Sequence, residues 1–191
     1  MKFSDITKVA KRFRYAVIVT DAGNNQWCNT GAAAYKLEGL PNLTADDFLN
    51  IIGIAEAKKC KWYLGDRQDE AGLFKIDRLG EQELTGDMAG VSILYNGHKL
   101  MPFYLAEGVV WLDVDLLVPV LNGKTEYLRF FLRNQNGRRT IAVKDGLVLI
   151  AVIGEFPLDQ GLYEHVKLMW QQCQIQGVEV ESHEDSDDDA D

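Results

Sequence analysis

The chain has 191 residues, 47% of them apolar and 26% charged, with a formal net charge of −9. These are ordinary globular proportions, which exclude disorder throughout and supply enough material for one core without a metal or a disulfide framework. The charge is uneven: eight of the 29 acidic residues lie in residues 179–191, EVESHEDSDDDAD, leaving 21 acids against 20 bases in residues 1–178. A run of like charges repels itself and carries too little apolar surface to offset ordering, so 179–191 is expected to be a disordered acidic tail. Residues 1–178 are expected to form a single compact α+β body, with residue 60 as the point where it would subdivide.

Cys28, Cys60 and Cys173 are odd in number and widely spaced, which fits a reducing compartment. The opening residues, MKFSDITKVAKRFRYAVIVT, lack the apolar stretch of a signal peptide, and the longest apolar run, Leu147–Ile153, is too short to span a bilayer. A soluble, cytoplasmic protein without a membrane partner is the expectation.

In chain order, Phe3, Ile6, Val9, Ala10 and Phe13 recur at helical spacing behind Ser4 as N-cap, and the other face carries Lys2, Lys8, Lys11, Arg12 and Arg14. Tyr15–Thr20 is β-branched and aromatic; with turn residues 21–25 and a return at Gln26–Asn29 it reads as a hairpin, and Ala33–Leu37 as a further strand. Thr44 and Asp47 form a capping box flanked by a Leu43–Phe48 staple, opening a helix expected to bury Phe48, Leu49, Ile51 and Ile52 before Gly53. Ala55–Cys60 continues as a short helix. Lys61–Leu64 and Leu73–Arg78 flank a polar turn over residues 65–72, and Val91–Tyr95 and His98–Tyr104 flank Asn96-Gly97, a strong hairpin signal. Pro102 makes the second of those an edge or end strand rather than a central one. Gly108–Leu112 is a strand, Asp113 an N-cap, and Leu116–Leu121 reads as a short helix in which Pro119 would remove one internal hydrogen bond and disfavour the helical conformation at Val118. Glu126–Arg133 and Arg139–Lys144 alternate and Leu147–Ile153 reads as a buried strand, together a three-stranded meander, and Leu158–Ile175 is helical, with Leu162, Val166, Met169, Trp170 and Cys173 on one stripe. No internal repeat is evident.

Several motifs suggest chemistry and lack a required part. Gly123-Lys124-Thr125 ends like a phosphate loop, but the position five residues before Gly123 is Val118 and a strand follows. Asp113-Val114-Asp115 is explained by a cap and a first-turn acid, and Asp66, Asp69 and Glu70 lack the spacing of a calcium loop. His98, His165 and His183 offer no metal-binding pair, and no serine sits in a nucleophile elbow. Acid–base pairs such as Glu107 with Asp113 are left to the fold to assemble. No metal and no cofactor is expected.

The notable basic concentration is Arg129, Arg133, Arg138 and Arg139, with Tyr127 and Phe131 interleaved on the face of Arg129 and Arg133. Cations mixed with aromatics suit a phosphate backbone and stacked bases, or a partner protein. The alternative is a solvent-facing sheet whose aromatics another element covers. Residues 108–153 also run GVVWL, DVDLLVPVL, EYLRFFLR, RRTIAVK, LVLIAVI: strand, capped helix, three antiparallel strands. This order resembles the closing half of a DNA sliding-clamp domain. The resemblance implies a helix-backed antiparallel sheet that binds partner proteins at an apolar pocket without catalysis. The fold class expected is therefore α+β, mainly antiparallel, with two or three packed helices. The function expected is non-catalytic intracellular binding, in its sharpest form a clamp-like accessory role in DNA transactions. The alternatives are an enzyme whose acid–base groups meet only in the fold, and an assembly protein whose apolar strands pair between subunits.

Overall fold

A computed structural model of the chain describes residues 1–68, 74–76, 83–88, 90–105, 108–123, 127–135, 137–158, 161, 162, 164, 167–169, 171 and 172. The chain divides into two compact units, Met1–Phe156 and Pro157–Asp191. In the second, backbone is helical at 161, 162, 164, 167–169, 171 and 172, and Leu168 and Met169 are exposed. Val166, Trp170, Cys173 and the acidic residues 179–191 lie outside the described residues.

The first unit is α+β and dominated by antiparallel sheet. It begins with α1 (Phe3–Phe13), β1 (Tyr15–Thr20), β2 (Gln26–Asn29), β3 (Ala33–Leu37), α2 (Ala45–Ile51) and α3 (Glu56–Lys59). There follow β4 (Tyr63–Gln68), β5 (Leu84–Thr85), β6 (Asp87–Met88), β7 (Ile93–Tyr95), β8 (His98–Leu105) and β9 (Gly108–Asp113). The unit closes with α4 (Val114–Leu121), β10 (Leu128–Gln135), β11 (Arg138–Asp145) and β12 (Val148–Gly154). Eight strands form one sheet in the order β4-β1-β2-β3-β12-β11-β10-β5. In a smaller sheet β8 pairs with β6 and β7 on one side and β9 on the other.

Local chemistry explains most of these elements. Thr44 accepts from the Asp47 N–H at 3.1 Å while the Asp47 carboxylate accepts from the Thr44 N–H at 2.9 Å, closing both halves of the capping box. Asn96 and Gly97 both have positive φ, 49° and 80°, as a type I′ hairpin turn requires. The Asp113 carboxylate caps α4 by accepting from the Asp115 N–H at 3.0 Å.

Other expectations are corrected. Lys2 is the N-cap of α1 and makes no side-chain cap, because the helix starts ahead of Ser4; Asp5 supplies the first-turn acid. Ile51 is 55% exposed because the buried stripe of α2 runs through Ala45, Phe48 and Leu49, and Ile51 falls off it. Gly65–Gln68 is no turn: it continues β4, which pairs in parallel with β1 from Tyr15↔Tyr63 to Thr20↔Gln68. The elements between β1 and β4 provide the crossover that parallel pairing needs. Of the partner strand expected at Leu73–Arg78, only Phe74–Ile76 are described. Pro102 is not on an edge strand. β8 is central, and Pro102 falls between Leu100, the last residue paired with β7, and Phe103, the first paired with β6. The missing N–H therefore coincides with a break in that ladder.

A repeated order emerges. α1–β1–β2–β3 and α4–β10–β11–β12 are each a helix followed by a three-stranded antiparallel meander. They join by their third strands, antiparallel, with Tyr35↔Ala151, Ala34↔Val152 and Ala33↔Ile153. Their helices also run antiparallel: Asn122, beyond the C-terminus of α4, donates to Asp5 near the start of α1, while Arg12 near the end of α1 reaches Asp113 and Asp115 at the start of α4. Antiparallel pairing of both the equivalent strands and the equivalent helices is what a local two-fold relation produces. Ile6, Val9 and Ala10 of α1 and Leu116, Leu117 and Val120 of α4 pack into one core with Ile18, Tyr35, Ile141 and Ile153 of the sheet. The fully buried Tyr35 donates its hydroxyl to the Leu116 carbonyl at 2.7 Å. The opposite sheet face carries Val17, Val19, Trp27, Ala34 and Val152 under Phe74 and Ile76. Among the described residues no helix is long and apolar enough to cross a membrane.

Candidate functional site

The junction of the two helices gathers four polar side chains from distant parts of the chain. Asp113, 2% exposed, is held by the end of β9 and by its role as the α4 cap. Its Oδ2 accepts from Arg12 Nη2 at 2.9 Å and faces His98 Nδ1 at 2.7 Å; Arg12 Nη1 donates to Asp115 at 2.8 Å. Arg12 Nη2 and His98 Nδ1 approach to 2.6 Å because both converge on the same carboxylate oxygen. The arrangement calls for Nδ1–H on His98 donating to Asp113. Phe156 packs on the imidazole with centroids 4.9 Å apart. Burial pushes the Asp113 pKa up, but hydrogen bonds from His98, Arg12 and the Asp115 N–H outweigh it and hold the carboxyl below its ordinary value. Both oxygens of Asp113 are thus committed to tying α1, β8 and α4 together. The sequence pointed to Asp113 as a cap and as a candidate acid–base partner of Glu107; Arg12 and His98 arrive through tertiary packing, which leaves no local signal.

The arginine set is dispersed. Arg133 is 2% exposed, and its Nε and Nη2 donate to Glu83 at 3.0 and 2.7 Å while Nη1 donates to the Lys75 carbonyl. Lys144 shares the same Glu83 carboxylate and lies over the Phe131 ring at 4.7 Å. Burial works to raise the Glu83 pKa, and the Lys144 and Arg133 hydrogen bonds overcome it and lower it. Arg133 and Phe131 therefore belong to a buried polar knot. Thr140 lies opposite Arg133, so Arg138 shares that sheet face, whereas Arg139 projects to the other face and pairs with Glu155. Arg129, opposite Lys144, and Arg138, opposite Gln135, are exposed at opposite ends of the β10–β11 ladder. Arg129 neighbours an apolar group: Tyr127 and Leu147 are 70% and 92% exposed, Val148 is half exposed, and the Gly146 N–H donates to the Tyr127 carbonyl.

The remaining candidates have structural explanations. Asp66 accepts from the Ala45 N–H at 2.8 Å, anchoring α2 to β4. Gly123 closes α4, its N–H donating to the Val120 carbonyl; Lys124, Thr125, Asp69, Glu70, Glu107, His165 and His183 lie outside the described residues. Cys28 and Cys60 are free thiols, and burial pushes Cys28 up to about 12. Among the described residues no group of His, Cys, Asp and Glu is arranged to hold a metal. No known protein family, curated protein or solved structure matches the chain.

Proposed function

We propose that this protein acts by binding rather than catalysis, as a clamp-like accessory factor in DNA transactions. The observation that carries the reading is the doubled helix-and-meander unit, joined through β3 and β12 with α1 and α4 antiparallel on one sheet face. Such a body presents a helix layer on one sheet face, and the carboxylates of Asp113 and Glu83 are consumed in ties. Lys11 on the outer side of α1 and Lys2 at its N-cap are both exposed and have no ion-pair partner among the described residues, so each is available to a phosphate. Tyr127, Leu147 and Val148 beside Arg129 offer an apolar patch with a cationic margin, which suits a partner-protein segment carrying apolar and acidic side chains.

The test is a mobility shift of duplex DNA at about 50 and about 200 mM salt. Wild-type protein should shift the duplex at the lower salt. The double variant Lys2→Glu/Lys11→Glu should bind more weakly, with a log–log salt slope smaller by about 2. No shift by wild type, or a double variant with an unchanged slope, removes the nucleic-acid reading.

A further inference from the structure

We propose that Tyr63, backed by Tyr15 and flanked by Arg14, Lys61 and Arg67, is a stacking site for an unpaired base of single-stranded nucleic acid. The site goes beyond the clamp-like reading and does not depend on it. Its centre is the start of the parallel β1–β4 ladder, where Tyr15 and Tyr63 are register partners. Their rings stack with centroids 4.6 Å apart and an interplanar angle of 16°. Gly31 closes on Tyr15 so tightly that a Cβ there would stand 3.2 Å from the ring, so Tyr15 is the seated member of the pair. Tyr63 is the outer member. It lies on the last strand of the sheet and stays 52% exposed with one face covered by Tyr15, which leaves the other face to solvent. A large aromatic ring held flat at a sheet margin, with a free face, has the geometry on which bases stack irrespective of sequence.

The charges around it have the matching sign. The Tyr63 N–H donates to the Arg14 carbonyl at 2.9 Å, which brings the exposed C-cap of α1 beside the aromatic pair. Lys61 is exposed in the turn leading into β4, and Arg67, two residues along the same strand face past Gly65, reaches the Tyr63 hydroxyl at 3.5 Å. None of Arg14, Lys61 and Arg67 has a carboxylate at ion-pair distance among the described residues. Asp66, the one acid described within β4, lies on the opposite face, where it anchors α2. The cations therefore stay available for phosphates on either side of the stacked base. A proline-rich peptide also packs on aromatic rings, but it has no phosphates to draw three cations to one ring.

The experiment is fluorescence anisotropy of a labelled oligothymidylate of about 12 nucleotides at low salt, with the full chain and with Tyr63→Ala, Tyr63→Phe and Lys61→Glu. Tyr63→Ala should weaken binding by roughly 5- to 150-fold, the range that alanine substitution of a stacking residue gives, while Tyr63→Phe stays within about 3-fold. Lys61→Glu, which leaves the stack intact, should weaken binding and lower the salt slope by about 1. Thermal melts establish that each variant is folded; an unfolded Tyr63→Ala transfers the decision to Tyr63→Phe and Lys61→Glu. The proposal is overturned by any of five results: no binding by wild type, unchanged binding in a folded Tyr63→Ala, Tyr63→Phe as weak as an unbound control, unchanged binding in Lys61→Glu, or displacement of the oligonucleotide by a polyproline peptide. Loss of duplex binding in Lys2→Glu/Lys11→Glu with single-strand binding retained separates this site from the helix-layer surface.

Discussion

Replacing Asp113 is the sharpest perturbation of the junction between the two repeated units. Asp113→Ala deletes the α4 cap, costing about 1 kcal/mol. It also strands Arg12 and His98, whose charge-assisted bonds each contribute up to about 3 kcal/mol in a dry site. Both donors are about 30% exposed (30% for Arg12 and 31% for His98). They recover hydration when the carboxylate goes, so about 1 kcal/mol each is the appropriate share. The total is about 3 kcal/mol, a fall of about 1.5 M in the urea midpoint for a slope near 2 kcal/mol/M. Asp113→Asn keeps a competent cap and loses only the anion, so its midpoint should fall by about 1 M. The pH dependence gives a second reading of the same interaction. The carboxyl is held below its ordinary 3.8 in the folded state, so its stabilisation is complete above that value and is lost as pH falls through the depressed folded value. The gap between wild type and Asp113→Asn should therefore close as pH falls through the depressed folded value of Asp113. An Asp113→Ala midpoint within about 0.3 M of wild type would refute the tie, and a gap that persists once the carboxyl of Asp113 is protonated would refute its electrostatic basis.

Two further perturbations test the packing around the sheets. Glu83→Gln leaves Arg133 and Lys144, 2% and 8% exposed, without their shared anion, and should cost about 3 kcal/mol or more by urea unfolding; a loss under about 1 kcal/mol contradicts the buried knot. Gly86 lies between β5 of the large sheet and β6 of the small one, where a Cβ would stand 2.3 Å from the Tyr104 carbonyl oxygen. Gly86→Ala should therefore cost about 1–3 kcal/mol and speed amide exchange in β6 and the facing part of β8, and unaltered exchange there would show that the crossing relaxes freely.

What was legible in the sequence was the chemistry that acts within a few residues. Thr44 and Asp47 meet because a helix start brings them together, and Asn96-Gly97 turns because its two positive φ angles suit those residues. The β10–β11–β12 meander follows from two alternating segments, a continuous apolar run and the turn residues between them, and α1 with its buried stripe from helical spacing. Misreadings came where a distant partner overrode local composition. Gly65-Asp66-Arg67-Gln68 has turn residues, yet β1 supplies a ladder and Ala45 a donor for Asp66, and together they hold the segment extended. Arg133 alternates with apolar residues as a solvent-facing cation should, but Glu83, fifty positions away, supplies the anion that lets it be buried. The Tyr15–Tyr63 stack requires the parallel register of two strands separated by two further strands and two helices, which no local pattern encodes.

The hidden repeat has the same physical origin. α1 carries five basic residues on or beside it and a polar outer side, whereas α4 is apolar through most of its length and holds Pro119. β2 has four residues where β11 has eight. What the two units share is the order of elements and the burial of one side of each, which the join between β3 and β12 demands: each meander alone ends in an open edge, and antiparallel pairing of the two edges closes both. Once that join forms, each helix faces the same sheet side and must pack beside the other. The ends are then secured by whichever polar pairs are at hand, Asp5 with Asn122 and Arg12 with Asp113 and Asp115. The symmetry therefore constrains positions of burial and leaves side-chain identity free, so the sequences of the halves diverge while the architecture stays doubled.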